Sequence, residues 1–166
     1  MKRTSIAIAA LAAVLTISGV RVNGQSDAAA PGLRGVRTKA EIDAIVAGLR
    51  SGALKGPQAL FREPDGAYRV YTSYIDHRKG VADIHINDDE VFVILSGLAT
   101  CTLGGDIQNK TIGSDDHDFH GNTIVGGTTK TVAEGDIVSA PHGTAHQMDP
   151  GDGHILYIVI KIIRKP

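Results

Sequence analysis

From Ala67 onward the apolar residues of this chain come only in short runs, each ended by glycine or a polar turn. Tyr68-Arg-Val-Tyr-Thr-Ser-Tyr-Ile75 alternates and is rich in β-forming residues. Asp76-His-Arg-Lys-Gly80 reads as a turn, and Val81 to His85 as a returning strand. Glu90 to Leu95 and Leu98 to Leu103 read as two further strands, punctuated by Ser96-Gly97 and Gly104-Gly105. Thr128 to Val132, Asp136 to Ala140 and His154 to Ile163 complete the series, with no internal repeat and no second helical region. Many short strands joined by glycine-rich turns imply an all-β barrel or sandwich.

The N-terminal part has a different character. Lys2 and Arg3 precede an apolar run from Ile6 to Val20, and Val22-Asn-Gly24 then supplies small or neutral residues. That order predicts a secretory signal peptide over residues 1–24, cleaved near Gly24–Gln25, and an exported (periplasmic or extracellular) protein. The run is short of the roughly 20 residues that a membrane span needs, so no stable span is expected after cleavage. Residues 25–37 read as a flexible lead-in, and residues 38–65 as a helix and its connection. Thr38 and Glu41 have the spacing of a capping box. Ile42, Ile45, Val46 and Leu49 share one helical face, and Gly52 follows as a stop, which predicts a short α-helix over 39–50. Residues 66–166 form the β-rich domain.

Charge and cysteine content exclude several function classes. Removing Lys2, Arg3 and Arg21 from the 17 basic residues leaves 14 against 18 acidic ones, a net charge of −4. A nucleic-acid partner or an anionic membrane surface is therefore not expected. Cys101 is the single cysteine, so no internal disulfide forms, and its place on a strand marks a small buried residue.

The chemistry gathers in two stretches. In Asp83-Ile-His-Ile-Asn-Asp-Asp-Glu90, Asp83 and His85 are two apart on a strand and so share a face. Glu90 lies across a polar turn at the start of the next strand. In Gly135-Asp-Ile-Val-Ser-Ala-Pro141-His-Gly143-Thr-Ala-His146, a strand and a tight Pro/Gly turn lead to a histidine. Two imidazoles with a carboxylate are a common set for a divalent metal ion.

These two stretches resemble the paired motifs of the cupin superfamily. The first motif of that family is a glycine, five residues, His-x-His, three or four residues, Glu, six residues and Gly. His85, Glu90 and Gly97 match it, whereas Asp83 stands at the first histidine and His77 at the leading glycine. The second is Gly, five residues, Pro-x-Gly, two residues, His, three residues and Asn. Gly135, Pro141, Gly143 and His146 match, and Pro150 replaces the asparagine. The resemblance covers roughly residues 66 to 163, and within the family it is similar to small exported single-domain cupins.

The resemblance implies a cupin-type β-barrel (a double-stranded β-helix, or jelly roll) whose inner strands hold one divalent transition metal, Fe, Mn or Zn. Its ligands would be His85, Glu90 and His146, with Asp83 either a fourth ligand or a hydrogen-bond partner of a ligand histidine. Without Asp83 the set resembles the two-histidine, one-carboxylate triad of ferrous iron; with it, Mn or Zn suits at least as well. The partner is then a small-molecule ligand or substrate, and a homodimer is a further implication. No catalytic residue is assignable, because no nucleophile stands matched with a base. A metal-dependent enzyme of oxygenase or isomerase type, a non-catalytic barrel holding a ligand or metal, and a metal-free structural barrel all remain open. His77 and His142 are expected to face solvent. His117 and His120 are expected in a solvated loop, or in a lid over the barrel mouth, and His154 opens the last strand without a motif. Tyr68, Arg69, Tyr71, Tyr74, Tyr157 and Lys161 lie on strands with one face inside, in a register the sequence leaves open.

Overall fold

The structure, a computed structural model, describes residues 35–62, 66–113 and 118–164. The signal peptide expected over residues 1–24 and most of the lead-in lie outside the described residues, as does His117. No helix among the described residues is long and apolar enough to cross a membrane.

The helix α1 (Lys39–Arg50) begins as the capping box requires. The Glu41 N–H donates to Thr38 Oγ1 at 3.3 Å, and the Thr38 N–H donates to Glu41 Oε2 at 2.8 Å. Leu49 is its buried residue, and the helix packs on the second strand. Among the described residues twelve strands follow: β1 (Gln58–Arg62), β2 (Tyr68–Asp76), β3 (Ala82–His85), β4 (Asp88–Leu103), β5 (Asp106–Gln108), β6 (Thr111–Ile112), β7 (Asp118–Gly121), β8 (Thr123–Val125), β9 (Thr128–Ala133), β10 (Ile137–Ala140), β11 (His146–Asp149) and β12 (His154–Ile163). The expected all-β barrel with a short N-terminal helix is therefore what the described residues form.

Two antiparallel walls share β4. Its first part pairs with β12 and β10, and β12 continues through β2 to β1. Its last part pairs with β9 and β11, and the second wall continues through β3 and β7 to β6. Phe92, Ile94, Ile155, Tyr157 and Val159 of the first wall meet Ala99, Cys101, Val132 and Met148 of the second in the main core. β5 and β8 form a separate two-stranded sheet whose Ile107 packs with Ala82 and Ala145.

The structure differs from the sequence-based expectation in instructive places. Asp88 to Leu103 is one strand, not two broken at Ser96-Gly97. Its buried positions are even-numbered from Asp88 to Ile94 and odd-numbered at Ala99 and Cys101, so the inward face changes parity around Gly97. There the pairing with β12 slips by one residue, between Leu156 and Tyr157. A bulge of this kind bends a strand without ending it. The segment expected as a long loop, including His120, instead carries β5 to β8, and β1 falls in the stretch read as a connection.

Gly97 makes the bend possible. Its φ is +87°, and a Cβ there would stand 2.0 Å from the His154 carbonyl oxygen. Gly126 has a similar φ of +76° but open space around it. Gly126→Ala is expected to cost about 1 kcal/mol, the left-handed backbone penalty alone. Gly97→Ala is expected to cost at least about 2 kcal/mol more, from overlap with fixed backbone. Urea denaturation of both variants measures the difference; equal midpoints would show that β4 bends without this close approach.

Candidate functional site

Pairing across strands brings the motif residues together. On β3, Asp83 and His85 share a face, as their spacing requires, and His146 on β11 pairs directly with Asp83. The Pro141-His142-Gly143 turn that delivers His146 is tied down on two sides. The Gly143 N–H donates to the His85 carbonyl at 2.7 Å, and the His142 N–H donates to Asp89 Oδ1 at 2.8 Å. Gly143 takes a φ of +73°, which suits glycine at this turn. Asp89 also receives Arg164 Nε at 2.9 Å and lies 3.0 Å from His142 Nδ1. Hydrogen bonds from His142 and then Arg164 hold the Asp89 carboxyl down at about 2.

From the opposite wall, Glu90 on β4 points between the two histidines. Its Oε2 lies 3.0 Å from His146 Nε2, and its Oε1 lies 3.5 Å from His85 Nε2. Donor atoms of Asp83, His85 and His146 also lie within 4.8 Å of one another. Three of the expected ligand candidates, Asp83, His85 and His146, thus form one cluster, and Glu90 touches it through its contacts with the two histidines. His85, Glu90 and His146 are buried, and Asp83 is half-buried.

The tautomer of His146 follows from its neighbours. Its Nδ1 faces the Thr144 carbonyl at 3.2 Å, and a carbonyl only accepts, so Nδ1 carries a proton. Nε2 then faces the Glu90 carboxylate. Burial lowers the His146 pKa, but the hydrogen bond and charge of Glu90 outweigh burial and leave it raised. For Glu90, burial pushes the pKa up, while His146, then His85 and Lys161, bring it below the ordinary value.

Three residues that the motifs do not contain complete the site. The first is Lys161 on β12, directly across from Glu90 and only 5% exposed. Its Nζ lies 3.0 Å from Asp88 Oδ2, 3.7 Å from Glu90 Oε1 and 3.8 Å from Asp118 Oδ2. It is also 3.2 Å from His85 Nδ1. The second is Asp118 on β7, the cross-strand partner of His85, whose Oδ1 is 2.8 Å from His85 Nδ1. A proton on that nitrogen satisfies Asp118 and leaves the Nε2 lone pair of His85 facing Glu90; Lys161, which cannot donate to an N–H, is then held by its carboxylates and not by His85. The third is His120, the cross-strand partner of Asp83, with its Nδ1 2.5 Å from Asp83 Oδ1. The residue expected in a solvated loop thus holds the fourth ligand candidate.

The other expectations divide cleanly. His142 and His77 are exposed as expected, with His77 beside Asp76 at 2.7 Å. His154 stacks on Tyr74, with ring centroids 5.7 Å apart. Tyr68 and Arg69 are exposed. Cys101 is buried in the core, and burial pushes its thiol up to about 11, which suits an inert residue. Tyr71 donates to Glu90 Oε1 at 3.4 Å, and burial, followed by the Glu90 charge, raises its hydroxyl above the ordinary tyrosine range. Tyr157 is likewise raised by burial, to about 12. Both tyrosines line a cavity of about 270 Å³ that opens onto Asp83, His85, Glu90 and His146.

No family model matches the chain, and no curated protein matches it. Among solved structures it is similar to a cupin 2 conserved barrel domain protein from Rhodopseudomonas palustris, at 20% identity over 66% of this chain and 62% of that one, with a TM-score of 0.47. It is also similar to a conserved protein with a double-stranded beta-helix domain from Klebsiella pneumoniae, at 13% identity over 65% of this chain and 77% of that one, TM-score 0.46. A third is a cupin-2 domain from Rhodospirillum rubrum, at 13% identity over 66% of this chain and 60% of that one, TM-score 0.48. The chain spans less than two thirds of the first and third of these. The site described above rests on this chain's own residues.

Lys161 is the test of how the interior balances its charge. Lys161→Met removes the ammonium from between Asp88 and Glu90 and is expected to cost about 3–5 kcal/mol in metal-free protein. Adding Asp88→Asn removes one of the stranded charges and is expected to restore part of that loss. Urea denaturation of the single and double variants checks both; additive losses would show that the two residues are not coupled.

Proposed function

We propose that this cupin-fold chain holds one divalent transition-metal ion between its walls, through His85, Glu90 and His146 with Asp83 as the fourth candidate, and presents it to a small molecule in the adjoining cavity. One observation carries this reading. A carboxylate and an imidazole lone pair cannot face each other in a buried site unless a proton or a cation lies between them. Glu90 faces two imidazole Nε2 atoms in this way, at 3.0 and 3.5 Å. Asp83, His85 and His146 offer donor atoms within 4.8 Å of one another and Glu90 faces both imidazoles, so these residues would hold a shared ion.

The residues behind the ligands fit the same purpose. Thr144 and Asp118 accept from the far nitrogens of His146 and His85, and such partners fix ring orientation and raise ligand basicity. A bound divalent ion would supply Lewis-acid polarisation of a ligand oxygen. Tyr71 and Tyr157 have hydroxyls displaced upward, away from neutrality, so any proton transfer falls to the histidines and carboxylates. Export, proposed from residues 1–24, places this chemistry outside the cytoplasm.

Elemental analysis of protein purified without chelators, beside a His85→Ala/His146→Ala variant, tests the reading. About one Fe, Mn or Zn per chain is expected, lost in the variant. Asp118→Asn is expected to retain the fold and lower metal affinity by roughly 10- to 100-fold, the usual effect of removing a partner behind a ligand histidine. No stoichiometric metal after anaerobic reconstitution would overturn the proposal.

A further inference from the structure

The cavity beside the ligand set has two chemically different ends. Asp83, His85, Glu90 and His146 form the inner end, and Ile75, Phe92, Met148 and Val159 make apolar walls. At the outer edge stand Val81, which is 52% exposed, and Arg78, the one arginine or lysine among the described residues lining the cavity.

Arg78 lies in the turn between β2 and β3, and that turn is fastened on both sides of it. The His77 N–H donates to the Gly153 carbonyl at 2.9 Å, and the Gly80 N–H donates to the Met148 carbonyl at 2.9 Å. The neighbouring charged side chains have partners: His77 pairs with Asp76 at 2.7 Å, and Lys79 with Asp149 at 3.2 Å. Among the described residues Arg78 makes no ion pair. Its charge also reaches the buried Tyr157 hydroxyl in the cavity wall. A guanidinium left unpaired on a fastened turn, at the edge of an otherwise acidic and apolar cavity, is a ready anchor for a planar anion.

We infer that Arg78 binds the carboxylate of a small organic acid, whose short body lies against Phe92 and Met148 and whose far end carries an oxygen toward His85 and His146. The inference deepens the metal-site reading and rests on it for the role of that inner end alone. At about 270 Å³ the cavity falls just below the roughly 300–1,000 Å³ typical of ligand pockets, which suits one small molecule and not a polymer. A phosphate dianion would call for further cationic donors, and the nearest one in the turn, Lys79, is committed to Asp149. The carboxylate is directed to the outer end because Asp83 and Glu90 make the inner end repel anions unless a metal ion is bound.

Isothermal titration with two matched pairs of probes tests this: 4-hydroxybenzoate against 4-hydroxybenzamide, and lactate against lactamide. Each is titrated into zinc-loaded and metal-free protein, wild type, Arg78→Gln and Arg78→Lys, with zinc content measured in every sample. At least one acid is expected to bind wild type about tenfold or more tightly than its amide, the factor one charge-assisted hydrogen bond is worth. Arg78→Gln is expected to erase that preference with zinc content unchanged, and Arg78→Lys to keep part of it. A preference seen in metal-free protein and dependent on Arg78 supports the carboxylate anchor even where zinc fails to load, which separates its fate from that of the metal site. No preference for either acid, or a preference undiminished in Arg78→Gln, would overturn it.

Discussion

β4 serves both walls of the barrel, and the placement of every other functional side chain follows from that constraint. With its even positions inward, the strand points Asp88, Glu90 and Phe92 into the interior. After Gly97 it belongs to the opposite wall, where Leu103 pairs with His146. A single strand thus carries the carboxylate and positions the strand that carries the histidine. The slip in pairing with β12 lets both segments bury an apolar face despite the change of parity. Without a residue free to take a φ of +87° against a carbonyl, the strand would keep one parity and present Ala99 and Cys101 to solvent.

The candidate ligand set was legible because its members are close in sequence or fixed to a turn. His85 and Glu90 flank one connection, Asp83 shares a strand face with His85, and the Pro-x-Gly turn sets the direction of His146. The remainder depends on cross-strand register, which spacing does not reveal. Asp118 meets His85, and His120 meets Asp83, only because β7 pairs with β3 in one particular register. The intervening short strands have weak alternation, so the stretch reads as a loop. Lys161 did leave a signal. In Ile155 to Ile163, the buried residues include 155, 157, 159 and 161, and a lysine at the inward parity of an apolar strand needs a buried acid opposite it. The parity became usable only once β12 was set beside β4, with Lys161 opposite Glu90.

The interior holds more negative than positive formal charge, and this imbalance bears on what can occupy it. Asp83, Asp88, Glu90 and Asp118 surround the two histidines, while Lys161 is the one ammonium among them. The raised pKa of His146 is the local response: Glu90 favours a proton on Nε2, which would place a positive charge against its carboxylate. That proton and a divalent ion compete for the same lone pair, because Nδ1 is already committed to Thr144. An ion displacing it, as the proposed function requires, would bring two charges in place of one and engage His85 as well, and so would correct the imbalance further than protonation can. Lys161 stands on the far side of His85, beside Nδ1, so its ammonium offsets Asp88 and Asp118 without occupying the space between the two Nε2 atoms. Under the proposed metal-site reading the lysine and an ion would be complementary occupants of one acidic interior: the first neutralises the carboxylates behind the candidate ligands, and the second would satisfy the donors that face the cavity.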